Sequence, residues 1–474
     1  MSLQFIFGNS GSGKSHCLYQ SVIEQSIRHP EKNYLVLVPE QFTMQTQKDL
    51  CLMHPRGGIM NIDVLSFGRL AHRVFEEVGQ DNRTVLDDEG KNLILRKIAG
   101  NYEDELTVLK GNLKKQGYIS EVKSVISEFT QYGVDFERLD EFMDSISPDS
   151  YLYYKLKDIR KVYEGFEDYL SEKYITKEEM LDVLSDAVPR SNILKGSVVA
   201  MDGFTGFTPV QDRLLGELLK VCDKVMITVE MDEREDPFVY RHPYQLFALS
   251  KQMVASLVEI ARDTKTEVED PVYLYQKPPK RFEHNPELAF LESELFRYSG
   301  KQYRQKDEPG KDGPEEKQNG YAGAVSLHEA RNPRAEAQYV AEGIRYLVRE
   351  KGYRYRDIAV ITADMNVYAD ALEKACGLFD IPVFMDHKKS TLLNAFVEYL
   401  RSLLAMAEEN FTYDSVFRFL RTGLCGFTDE EVDRMENYCL ALGIKGYKKW
   451  QQAWVRQTSE AGEAELQELN HLRA

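Results

Sequence analysis

Eight consecutive residues near the start of the chain, Gly8-Asn9-Ser10-Gly11-Ser12-Gly13-Lys14-Ser15, have the types and spacing of a phosphate-binding loop, G-x-x-x-x-G-K-[ST]. Glycines let the backbone wrap closely around phosphate oxygens. Loop N–H groups and the N-terminus of a following helix present positive ends, Lys14 reaches the outer phosphates, and Ser15 can ligand Mg²⁺. The loop therefore predicts ATP and Mg²⁺ as ligands; the plainer alternative is a Gly/Ser-rich turn that only caps a helix. Such a loop needs a second strand ending in an acid for the magnesium shell, and Val198-Val199-Ala200-Met201-Asp202 supplies one, which makes Asp202 the second candidate metal residue. An Asp before a Gly is also ordinary turn chemistry. Motor ATPases place a Glu after this Asp to polarise the attacking water. Here Gly203 has no side chain, so binding is expected, efficient hydrolysis is not, and no residue is assigned as catalytic.

The loop works only where a strand turns into a helix. Short β-rich apolar runs at residues 3–7, 34–38, 62–67, 198–201 and 225–229, separated by helical periodicity, predict a buried parallel sheet. Leu18, Val22, Ile23 and Ile27 recur at helical spacing after Ser15, giving a βαβ unit with residues 8–15 as its loop. From about Thr84 to Arg190 strand signals vanish, and Ile119, Val122, Ile126 and Phe129 fall on one helical face, a core stripe. Residues 299–323 are charged, bear Gly and Pro, and are nearly free of aliphatic side chains, so a disordered linker is expected there. Beyond it a second α/β pattern is predicted, with strands at 325–327, 358–362 and near Val383 and helices over 336–349 and 368–375. From Leu392 on the chain reads as helical.

Composition narrows the classes. The 474 residues suit roughly three domains of about 150 each. With 43% hydrophobic and 29% charged residues, the chain is ordinary globular protein. No apolar run approaches the roughly 18 residues of a membrane span, and the start lacks a signal-peptide pattern, so a cytoplasmic protein without membrane contact is expected. Cys17, Cys51, Cys222, Cys376, Cys425 and Cys439 are scattered without metal-ligand spacing and read as reduced thiols. A net charge of −17 restricts any nucleic-acid site to a local basic patch or one shared with a partner. The 27 tyrosines could stack on bases but more often pack half-buried, and none is assigned.

Further segments carry a family resemblance. Residues 34–43, ending Val38-Pro39-Glu40-Gln41-Phe42-Thr43, resemble motif Ia of superfamily 1 helicases, and Asp63-Val64-Leu65-Ser66-Phe67-Gly68-Arg69-Leu70 resembles the motif after it; both line the single-stranded DNA path in that superfamily. Asp202-Gly203-Phe204-Thr205-Gly206-Phe207-Thr208-Pro209-Val210-Gln211 looks like the D-E-x-Q-D…Q segment with Asp202 and Gln211 kept. Together with Asp357-Ile358-Ala359-Val360, the run Ile381 to Asp386, and Glu436-Asn437-Tyr438-Cys439 followed by Gly443 to Gly446 and Trp450, these resemble the AddB family, helicase-like and nuclease subunits of bacterial AddAB enzymes.

The resemblance implies an α/β fold of P-loop, RecA-like parallel-sheet domains with helical insertions. The expected division is a first RecA-like domain over 1–83 and 191–298, an inserted helical domain over 84–190, the linker, an incomplete second RecA-like domain over 324–407, and the start of its helical insertion over 408–474. It implies an inactivated motor acting in double-strand break repair by homologous recombination and Chi recognition, with an AddA-type subunit and single- and double-stranded DNA as partners. Gln41, Thr43, Ser66, Phe67 and Arg69 become DNA-contact candidates. Their plainer reading is strand-end caps and, for Phe67, core. The family's nuclease domain and the four cysteines of its 4Fe-4S cluster lie downstream of this sequence, so neither is expected here. The adenine-contact Gln that superfamily 1 places upstream of the loop has no counterpart among the seven residues before Gly8. The rival readings are a free-standing P-loop ATPase or kinase and a structural scaffold with a vestigial loop.

Overall fold

A computed structural model describes residues 1–79, 83–113, 115–170, 173–303, 323–386, 391–457 and 462–474. The chain divides into two units, Met1–Ser326 and Leu327–Ala474. The first begins β1 (Ser2–Gly8), α1 (Lys14–Arg28), β2 (Tyr34–Leu37), α2 (Thr43–Met53), β3 (Ile62–Leu65) and α3 (Phe67–Val78). A mainly helical stretch follows: β4 (Thr84–Val85), α4 (Asp88–Asn101), α5 (Gln116–Gln131), α6 (Phe136–Asp144), α7 (Tyr151–Leu170), β5 (Tyr174–Ile175) and α8 (Glu179–Ala187). The chain then returns through β6 (Val198–Met201), α9 (Pro209–Val221), β7 (Lys224–Glu230), α10 (Ala248–Asp263), β8 (Glu267–Val268), β9 (Val272–Leu274) and α11 (Pro286–Glu294).

This is an α/β, RecA-like fold around a seven-stranded sheet of order β3-β2-β6-β7-β1-β8, with β9 also on β1 and every pairing parallel. Side chains alternate along each strand. Phe5, Phe7, Leu37, Met201 and Ile227 enter one core with α3, α8, α9 and α10, while Ile6, Val36, Ala200 and Met226 enter another with Leu18 and Val22 of α1 and Leu50 of α2. Burial on both faces is why the strands read as continuous apolar runs. The registers Gly8↔Glu230, Met201↔Ile227 and Leu37↔Met201 bring the C-terminal ends of β1, β7, β6 and β2 to one edge, where open parallel sheets bind ligands.

The helical stretch has its own core, with Leu95 and Ile98 of α4, Ile119, Val122 and Ile126 of α5 and Phe166 of α7. The buried Asp158 carboxylate accepts the N–H groups of Thr107, Val108 and Leu109 at 2.7–3.0 Å, fixing the segment between α4 and α5. One difference from the sequence reading is β4 and β5, which pair with each other in parallel. Two residues are too few to show a period-2 pattern.

The second unit contains α12 (Pro333–Glu350), α13 (Met365–Leu378), α14 (Ala395–Glu408), α15 (Tyr413–Leu420), α16 (Asp429–Leu442), α17 (Tyr447–Gln451) and α18 (Glu463–Arg473). Small residues Ala337 and Ala341 let α12 approach Leu372 and Cys376 of α13, and Met406, Phe417, Met435 and Leu469 join α14, α15, α16 and α18. The strands expected at 325–327, 358–362 and near Val383 are not formed among the described residues. A strand is defined by its ladder, these segments have no ladder partner there, and Ile361 and Phe384 stand 94% and 90% exposed. Of the expected linker, residues 304–322 lie outside the described residues.

Candidate nucleotide-binding site

The segment between β1 and α1 has the backbone of a phosphate cradle. Gly11 and Gly13 have φ of 74° and 93°, a left-handed region that side chains rarely adopt. A Cβ on Gly8 would stand 2.4 Å from Ser12 Oγ and 2.8 Å from the Leu274 carbonyl oxygen. Among the described residues the buried Ser12 Oγ has no hydrogen-bond partner, which leaves it free to bond a ligand oxygen. Lys14 Nζ donates to the Asn9 carbonyl at 2.9 Å, and Asn9 Nδ2 donates to Glu292 at 2.9 Å. A cavity of about 560 Å³ opens over the loop, lined by Ser10, Lys14 and Ser15 on one side and Asp202, Thr228 and Glu230 on the other. Burial lowers the Lys14 ammonium below its ordinary value, while Glu230 and Asp202 pull it back up. A polyphosphate would add counter-charge to that of the two carboxylates and offset the cost of burying this lysine.

Asp202 follows β6 and is 8% exposed. Tyr19 of α1 donates its hydroxyl to Asp202 Oδ2 at 2.7 Å, and Thr228 of β7 donates to Oδ1 at 2.5 Å. Tyr19 also lies 3.4 Å from the Thr46 hydroxyl on α2, so one carboxylate ties together α1, α2, β6 and β7. Burial and then the Asp202 charge hold the Tyr19 phenol protonated far above its ordinary range. Neither Tyr19 nor Thr228 was singled out from sequence, although Tyr19 stands one helical turn after Ser15, on the same face. Gly203 has φ of 78°, so any side chain placed there is strained. After it the chain packs down, with the Phe204 and Phe207 rings 5.4 and 6.4 Å from Phe67. Gln211, which the motif comparison retained, closes a capping box at the start of α9 by accepting the Thr208 N–H at 3.0 Å.

The DNA-contact candidates separate by environment. Thr43 is buried and donates to the Glu40 carbonyl at 3.0 Å, Ser66 is buried and caps α3 by accepting the Arg69 N–H at 3.4 Å, and Phe67 is core. Gln41 and Arg69 are exposed at the same sheet edge as the loop, beyond the ends of β2 and β3. Phe42, half exposed, lies 4.0 Å from where a Gly203 Cβ would sit. Among the described residues no helix is long and apolar enough to cross a membrane.

The sequence profile of the family described as "ADDB, N-terminal" matches residues 5–292. The chain belongs to that family. Among its relatives is a Lachnoclostridium phytofermentans protein named as the B-type subunit of an ATP-dependent helicase/deoxyribonuclease, 41% identical over 478 residues, which cover all of this chain and 40% of the relative. Proteins of the same name from Clostridium perfringens SM101 and Caldanaerobacter subterraneus subsp. tengcongensis are 32% and 35% identical, over 100% and 96% of this chain and 40% and 37% of theirs. The chain thus spans about two-fifths of the length of these AddB relatives. The match to the family profile takes in the cradle, Asp202, the exposed Gln41 and Arg69, and the segment from β9 into α11.

Proposed function

We propose that this chain is the nucleotide- and single-stranded-DNA-binding, helicase-like part of an AddAB-type enzyme, and that it is an inactivated motor. The observation that carries the reading is the open cradle at Gly8–Ser15 facing a β6 end with no carboxylate at position 203 and with Asp202 already held by two hydroxyls. Gly8 to Ser15 would hold the phosphates of ATP, and Ser15 and Asp202 would hold Mg²⁺, which when bound neutralises phosphate charge. Residues 1–83 and 191–298 then form one RecA-like domain with 84–190 inserted, and 324–407 and 408–474 belong to a second domain and its insertion. The proposed role is in double-strand break repair by homologous recombination and Chi recognition, in the cytoplasm, beside an AddA-type subunit and on single- and double-stranded DNA; the relatives' name, an ATP-dependent helicase/deoxyribonuclease subunit, supports the DNA-processing part of it.

For DNA, the exposed Gln41 and Arg69 are the proposed contacts, with Thr43, Ser66 and Phe67 shaping the loops that present them. Calorimetry with Mg-ATP and a turnover assay test the nucleotide reading together. Binding without turnover is expected. DNA-stimulated hydrolysis near the roughly 1–100 per second of phosphoryl-transfer enzymes would instead support a self-sufficient ATPase, and no binding at millimolar nucleotide would leave a scaffold. Anisotropy of a labelled oligonucleotide tests the DNA reading. Affinity should fall steeply from low to physiological salt as counterions are released, and an Arg69→Ala, Gln41→Ala double variant should bind more weakly; salt-independent binding would overturn it.

A further inference from the structure

The cradle is walled by a segment far along the chain. After β9, residues 280–282 turn back over the loop: the Arg281 N–H donates to the Gly11 carbonyl at 3.0 Å, and the side chains of Arg281 and Phe282 lie against Gly11. A Cβ on Gly11 would come within 2.9 Å of Arg281 Cβ and 3.0 Å of the Phe282 ring. Position 11 is one of the free positions of the loop motif. Its glycine is therefore explained by the approach of this segment as well as by its positive φ.

The charge that arrives by this route is uncommitted. In a chain of net charge −17, neighbouring cations are mostly spoken for: Arg234 and Arg297 share Asp232, and Lys277 pairs with Glu233. Among the described residues the exposed Arg281 guanidinium has neither a hydrogen bond nor an ion pair, and it lines the same cavity as Lys14. Its field reaches Lys14, where it opposes protonation. Lys14 and Arg281 share this cavity with Asp202 and Glu230, and a polyanion bound between the two cations would offset the repulsion that remains between them.

We propose that Arg281 is a phosphate-binding residue of this site, a second cation delivered in cis beside Lys14 to a nucleoside di- or triphosphate. The proposal rests on the nucleotide reading above and adds to it a residue outside the loop. Guanidinium presents several N–H donors in a plane and suits phosphate oxygens. The anchor to Gly11 is a backbone hydrogen bond, so substituting the side chain leaves the segment in place.

The test is calorimetry with ATP and with AMP, without added metal, on wild type, Arg281→Gln, Arg281→Lys and Lys14→Ala. Arg281→Gln should weaken ATP roughly tenfold or more, the size of a lost charge-assisted contact, with a smaller effect on AMP, and the ATP deficit should shrink as salt rises. Arg281→Lys should recover part of the loss. If Arg281→Gln binds ATP like wild type while Lys14→Ala does not, the proposal fails and the loop reading stands. Equal losses for ATP and AMP would assign Arg281 only to holding the wall and would also overturn it. If wild type binds no ATP, both readings fall. Circular dichroism checks that each variant is folded, and Arg281→Lys keeps the test open should Arg281→Gln misfold.

Discussion

The loops after β1 and β6 leave the same sheet edge with β7 between their strands, yet they are built oppositely. The first is held open: it contains left-handed glycines, a buried hydroxyl with no hydrogen-bond partner among the described residues and a lysine whose charge is disfavoured by burial. The second is packed shut: Asp202 has a hydroxyl on each oxygen, and the next residues run into the Phe67, Phe204 and Phe207 cluster. In a motor, both loops must reach the nucleotide. Here the first is shaped for a ligand, while the second presents Asp202 to the same cavity but offers no base at Gly203 and packs its following residues inward, so holding a phosphate and hydrolysing it are separable properties of the same edge.

If that contrast is right, the largest effect on stability comes from the shut side. Phe67→Ala should cost about 3–5 kcal/mol in chemical denaturation, as for other buried phenylalanines, while the ATP dissociation constant of the folded variant moves less than about threefold. A comparable loss of affinity would mean that the two loops are one unit. On the open side, Lys14→Ala should cost about 2–3 kcal/mol of ATP binding, roughly 30- to 150-fold by calorimetry, with little change in the melting temperature.

Tyr19→Phe probes the link between the two. It should destabilise the fold by about 1.5 kcal/mol at neutral pH, the low end for a hydrogen bond to a charged acceptor, because Thr228 still donates. The folded phenol titrates above its unfolded value of about 10, so its contribution is full below pH 10 and declines as pH rises further, when the unfolded chain gains by ionising. The gap between wild type and variant in denaturation midpoints should therefore narrow above pH 10; a gap that widens there would place the phenol elsewhere. The smallest effect is reserved for Gly203→Glu. Restoring a carboxylate after Asp202 should leave ATP turnover at background, since the positive φ strains the new side chain and the later motif positions have also diverged. Appreciable turnover in that variant would show that only one residue separates this edge from a motor.

How much of this could be read beforehand depends on range. The cradle is eight contiguous residues between a strand and a helix, and the five principal strands are apolar runs, so both were legible. Asp202 was legible as the end of a strand, but its partners were not, because Tyr19 and Thr228 reach it through helix packing and sheet order rather than spacing. Arg281 had no sequence signal at all: only the path of β9 beside β1 brings it to Gly11. In the second unit the helices at α12 and α13 showed their period and the strands did not form, since a helix bonds within itself and a strand needs a neighbour.

The two-residue pairing of β4 with β5 has an evolutionary consequence. Thr84 sits opposite Tyr174 and Val85 opposite Ile175, so among the described residues the two ends of the helical stretch from α4 to α7 are brought together at a narrow doorway. Whatever happens between those residues is invisible to the parallel sheet as long as the doorway stays closed. Because the entropy of closing a loop grows only slowly with its length, the intervening helices are free to gain or lose whole turns among descendants of this sequence at little cost to the nucleotide-binding edge they left behind.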